Sequence, residues 1–137
     1  MTADPAEVLD RAPIRGERLK HRDAVRLKQR WRETFATSLY QAEGAWSIGH
    51  HDWHVFSYRY SRHVAGAEAL KLYADLVPTN LLVIIDPDLL ALAGDFDAMP
   101  HGAPGHDVYV CEAEMAWTMV FTHEPDLGPY FARANSI

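Results

Sequence analysis

Two short segments carry most of the residues able to do chemistry. Thr122-His123-Glu124 ends an apolar run, and Gly128-Pro129-Tyr130-Phe131 follows it, so a rigid turn can fold an aromatic pair over a His-Glu pair. Trp53-His54 with Phe56-Ser57-Tyr58 sets a second imidazole among rings. An unperturbed imidazole has a pKa of about 6.5, so a histidine held beside a carboxylate and walled by Trp53, Trp117, Tyr58 and Tyr130 can exchange protons near neutral pH. On this reading His54 and His123 are the acid and base, and Glu124 orients the imidazole or balances its charge. Tyr58 or Tyr109 can donate to a developing oxyanion, and Trp53, Ser57, Tyr58, Tyr109, Trp117 and Tyr130 line the substrate pocket. A plainer account of the same residues has Glu124 fixing the C-terminal turn while His54 packs as a hydrogen-bonded core residue.

Other chemistries fit these residues less well. Eight histidines invite a metal ion, and on a strand His50, Asp52 and His54 would share a face, with His123 or Glu124 as a further ligand. Their spacing matches no strong zinc signature and no helical His-Glu-x-x-His occurs, so neither a metal nor another cofactor is expected. Ser57 lacks the Gly-x-Ser-x-Gly turn that exposes a hydrolase serine. Gly94, Gly102 and Gly105 match neither the phosphate-binding loop nor the dinucleotide fingerprint. The single Cys111 rules out an intramolecular disulfide, and its apolar neighbours make it a small buried hydrophobe.

The bulk composition narrows the partners. A chain of 137 residues, 48% hydrophobic and 23% charged, has the balance of an ordinary globular domain. One domain is expected, with residues 1–13 a loosely held lead-in. The longest apolar run, 81–85, is far shorter than the roughly 20 residues that cross a membrane, and acidic residues stand where a signal segment would be apolar, so a cytoplasmic location is expected. The net charge of −6 hides an asymmetry: residues 1–35 hold nine of the 13 basic residues against six acids, and the remainder holds four against 13. The basic residues fall at helical spacing opposite an apolar stripe and read as a solvated helix face. With the chain acidic overall, neither nucleic acid nor membrane is an expected partner. A small-molecule ligand leads, and the competing class is an acidic protein-binding module, such as an immunity-like partner of a toxin. For that class Asp86, Asp88, Asp95 and Asp97 would rim Phe96 as an aromatic anchor.

The elements that must position these residues follow from periodicity. Leu27, Trp31, Phe35 and Leu39 recur every four residues and predict an amphipathic helix over about 22–39. Aromatic and β-branched residues over 53–60 predict a strand with His54, Phe56, Tyr58 and Tyr60 on one side. A second helix is expected over about 64–76, closed by Pro78. The apolar run 81–85 predicts a central strand covered on both faces. A short helix is expected over 87–93 and a loop over 94–105. Strands over 107–111 and 116–122 complete the set, joined by a hairpin connection. The expected architecture is α+β, with an about four-stranded, mainly antiparallel sheet packed with two main helices.

Taken in order, Trp31 and Phe35, Trp53-His54 with Phe56-Ser57-Tyr58, Asp107-Val108-Tyr109-Val110, Trp117-Thr118, Thr122-His123-Glu124 and Gly128-Pro129-Tyr130-Phe131 resemble the bacterial family known only as domain of unknown function 4275. The resemblance spans about residues 25–133. It implies that His54, Ser57, His123 and Glu124 are the polar members of the motifs, and it implies no activity. The chain departs from the family pattern in the loop 100–105 and in histidines at positions 50, 51, 101 and 106.

Overall fold

Leu27, Trp31 and Phe35 lie on one stripe because four residues are close to one helical turn, and that stripe is buried. The helix is α1, His21–Phe35. The computed structural model describes residues 14–47, 49, 51–124 and 126–134. The expected lead-in over 1–13 lies outside the described residues, and so does His50. The helix does not run unbroken to Leu39. Ala36 leaves helical geometry at φ −116°, ψ 15°, and α2 (Thr37–Glu43) follows. Thr34 and Thr37 turn their hydroxyls back to the carbonyls of Arg30 and Glu33, a competition with the helical ladder that accompanies the break.

The stretch 53–60 corrects the expectation of a strand. It forms a single helical turn, α3 (His54–Ser57), held by Ser57 N–H to Trp53 C=O at 3.3 Å and Tyr58 N–H to His54 C=O at 3.0 Å. Strand propensity describes a side chain that fits a half-buried pleated surface. Here Trp53, Val55 and Phe56 find full burial from a helical turn instead. The second helix is shorter than expected: β2 (Val64–Ala65) and Gly66 precede α4 (Ala67–Ala74).

The sheet is also larger than the four strands expected. Its seven described strands add β1 (Ile14–Arg18), β3 (Leu81–Asp86), β4 (Leu90–Phe96), β5 (Asp107–Glu112), β6 (Trp117–Phe121) and β7 (Tyr130–Arg133) to β2. Their order is β1-β4-β3-β5-β6-β7-β2, and every neighbouring pair is antiparallel. The α+β class holds, and the strand count is corrected. Residues 87–93, expected as a short helix, instead turn at Pro87–Leu89 and return as β4, pairing Ile85 with Leu90. A short apolar run fits a buried strand and a helix equally by period. The open edge of β3 decides the matter, because pairing satisfies its backbone groups. Gly94 accordingly lies inside β4, and the loop begins only after Phe96.

Alternation along the strands divides the core in two. Ile84, Ala91, Tyr109, Cys111 and Val120 pack with Trp31, Phe35, Trp53 and Phe56. Val83, Ile85, Val108, Val110 and Met119 pack on the other face with Ala69 and Tyr73 of α4. The expectation that 81–85 is a central, doubly covered strand is met by β3.

Candidate functional site

Asp86 ends β3, Asp107 begins β5, and the two are register partners. The next pair of the same parity, Ile84 and Tyr109, packs on the α1 face, so both aspartates rise from that face. Like charges directly opposed repel unless each is answered. Lys28, buried on α1, answers the first: its Nζ bonds Asp86 Oδ2, lies 3.0 Å from Asp52 Oδ2 and sits 4.4 Å from the Tyr109 ring centroid. Arg32, one turn further along α1, donates from Nε to Asp52 Oδ2 at 3.0 Å.

Asp107 is answered differently. Its Oδ1 accepts the backbone N–H of His123 at 2.7 Å and lies 2.8 Å from His123 Nδ1. Its Oδ2 lies 3.5 Å from His51 Nδ1. The other ring nitrogen of His123, Nε2, is 3.2 Å from Glu124 Oε1. The rings of His51 and His123 are 4.8 Å apart, and Trp53 stacks on His51 at 5.4 Å. His51, Asp107 and His123 line a cleft of about 510 Å³ together with Lys28, Arg32, Asp52 and Asp86, and Val25, Pro87 and Leu89 also line it.

The field of the site separates its histidines. Hydrogen bonding to Asp107 raises the pKa of His123 above its ordinary value, with help from Glu124, although partial burial opposes it. Burial lowers the pKa of His54, and repulsion from His51 and His123 adds to this while Asp107 works against it. Burial also drives the Tyr109 phenol well above its usual range, reinforced by Asp52, Asp86 and Asp107.

The sequence-predicted residues divide between this cleft and its surroundings. His123 stands in it, with Glu124 beside it and half its side chain exposed. His54 stands one ring away: it approaches His51 at 5.4 Å, bonds Ser57 Oγ through Nδ1 at 2.7 Å and stacks on Tyr58 at 4.7 Å. The spacing that a strand would have separated, i to i+3, is what a helical turn brings together. Ser57 is therefore engaged by His54, and Tyr58 is exposed. Trp53 forms the wall behind His51 and stacks on Tyr130 at 6.3 Å. Its indole Nε1 is the one buried side-chain polar atom without a hydrogen-bond partner among the described residues. The Tyr109 hydroxyl accepts the Trp53 backbone N–H at 3.2 Å, so it braces the wall from within the core. Trp117 packs on the opposite face of the sheet with Tyr73 and Phe131, away from the cleft.

Lys28, Arg32, His51 and Asp107 were not singled out for chemistry by sequence reasoning, and Asp52, considered as a metal ligand sharing a strand face with His50 and His54, is held by Lys28 and Arg32 instead. Asp107 carried one usable signal, its parity with Tyr109 on a strand. The acidic stretch considered as a docking rim is largely engaged within the fold. Phe96 is buried, Asp88 lies 3.5 Å from His106 Nε2, and Asp95 accepts the backbone N–H of Asn80 at 2.8 Å. Cys111 is buried, and burial pushes its thiol up to about 12, which leaves it an inert hydrophobe at neutral pH.

No helix among the described residues is long and apolar enough to cross a membrane. No curated protein and no solved structure matches the chain. The chain belongs to the family described as domain of unknown function (DUF4275), whose model matches residues 6–131.

Proposed function

We propose, for a member of a family whose description names no activity, that the cleft over β3 and β5 binds a small molecule and that His123 handles protons there with Asp107 as its orienting partner. The observation that carries this reading is the double contact of Asp107 with the backbone N–H and ring of His123 at the wall of the cleft. A carboxylate that accepts the backbone N–H of a histidine and also bonds its ring holds the imidazole in one orientation before a ligand arrives, which is what acid-base transfer requires. The volume supports a small ligand, since pockets for such molecules run from roughly 300 to 1,000 Å³. His54 takes part at one remove, through His51, and Glu124 sets the outer nitrogen of His123. Ligand contacts come from His51, Lys28 and Arg32 rather than from Trp117.

The test is a thermal-shift screen of small metabolites on the parent chain and on His123→Ala and His54→Ala. The expected result is at least one compound that raises the parent melting temperature and fails to raise that of His123→Ala, while both variants melt within a few degrees of the parent. A His123→Ala chain that is strongly destabilised, together with a parent that no compound shifts, would return these residues to a structural role and restore the protein-partner alternative.

A further inference from the structure

We propose that His51, Asp107 and His123 form a binding site for a divalent transition-metal ion of the zinc class. One ligating atom from each residue lies within 4.8 Å of the others. His123 Nδ1 lies 2.8 Å from Asp107 Oδ1, and His51 Nδ1 lies 3.5 Å from the other carboxylate oxygen, Oδ2. Zinc bonds to imidazole and carboxylate are about 2.0–2.2 Å long, which sets tetrahedral donors roughly 3.3–3.6 Å apart. The observed donors bracket that spacing, so an ion replaces the 2.8 Å hydrogen bond between His123 and Asp107, and the partly exposed His51 closes the remaining gap by rotating its side chain. Two imidazoles and one carboxylate suit zinc or iron rather than calcium or magnesium, which take oxygen ligands.

The hydrogen bonding of His123 is compatible with such an ion. A neutral imidazole offers one donor and one acceptor. If Nδ1 donates to Asp107, the lone pair on Nε2 faces the Glu124 carboxylate at 3.2 Å, acceptor against acceptor. A second ring proton or an ion on Nδ1 removes the conflict, and with the ion the ring proton sits on Nε2 and is donated to Glu124. A ligating histidine that passes its second N–H to a carboxylate is the usual outer arrangement of a metal site. The neighbouring acids do not compete for the ion: Lys28 bonds both Asp52 and Asp86, and Arg32 bonds Asp52. All three ligands line the cleft, so three protein groups hold the ion and a further position faces the space where a small molecule binds. An ion there lowers the pKa of a bound water toward neutrality.

This inference keeps the cleft of the proposed function; with the ion bound, Asp107 and His123 serve as ligands and proton handling passes from the imidazole to the ion-bound water. The test uses the full chain without an affinity tag, stripped with chelator and dialysed, then titrated calorimetrically with Zn²⁺ alone and with Ca²⁺ as the hard-ion control. One Zn²⁺ per chain is expected, with Ca²⁺ bound at least a hundredfold more weakly, and with His51→Ala and His123→Gln each weakening Zn²⁺ at least tenfold. X-ray absorption on the zinc-loaded parent is expected to show two imidazoles and an oxygen shell, and it holds even if a variant fails to fold. Substoichiometric Zn²⁺, parent-like affinity in both variants, or a zinc shell without imidazole overturns the site. Loss of the ion with a surviving small-molecule shift leaves the proposed function standing, and bound zinc in a chain that no small molecule shifts does the reverse.

Discussion

One group of cleft residues sets Lys28 and Arg32 against Asp52 and Asp86, and a second sets His51 and His123 against Asp107. Both groups rest on the opposed ends of β3 and β5. In the first group, cationic side chains meet carboxylates directly. In the second, two titratable rings converge on one buried carboxylate, and their balance depends on what occupies the ring nitrogens. Matched charge of the first kind holds α1 to the sheet. Conditional charge of the second kind can change state when a proton, ion or ligand arrives.

The largest expected effect breaks the matched group. Lys28→Met leaves Asp86 without its cation and Asp52 with Arg32 alone, and breaking a buried pair by removing one partner costs about 3 kcal/mol. Urea denaturation measures it, and a loss below about 1 kcal/mol would show that the pair is not what anchors α1. For the conditional group, Glu124→Gln is expected to weaken zinc about tenfold, as removal of an outer carboxylate does. Its melting temperature should stay close to the parent value, because the Glu124 side chain is half exposed. Affinity equal to the parent would detach Glu124 from the site.

Tyr109→Phe tests the wall that separates cleft from core. It removes the hydroxyl that accepts the Trp53 N–H and should cost about 1 kcal/mol, the ordinary net worth of such a bond. Parent-like stability would mean that the wall holds itself. The smallest effect is in pH dependence, read in the metal-free chain by NMR titration of the imidazoles. His123 should titrate above the ordinary 6.5 and His54 below it. For His123 the folded state binds the proton more tightly, so its contribution to stability is full below pH 6.5 and fades as pH rises through its folded pKa. For His54 the unfolded state binds the proton more tightly, so its contribution is present above pH 6.5 and is lost as pH falls through its folded pKa. Reversed titration order would overturn the assignment of Asp107 to His123.

Some of this molecule was legible in its residues. The four-residue recurrence of Leu27, Trp31 and Phe35 announced α1, because helical spacing and burial agree there at every position. The runs that became β3, β5 and β6 were equally plain, since apolar β-branched residues bounded by turns leave few alternatives. His123 and Glu124 were legible as neighbours because adjacency in sequence keeps them close in any fold. The motif at 53–58 was legible in composition and misleading in form, as its rings are buried by a helical turn and not by a pleat. The other partner of His123, Asp107, could not be read as one from the chain. Asp107 precedes His123 by 16 residues and reaches it only through the β5–β6 pairing, whereas Lys28 meets Asp86 across 58 residues. Local sequence determines which faces are apolar and where turns can form. The register of the strands and the seating of α1 decide which polar groups face one another, because those distances are set by the simultaneous packing of both core layers.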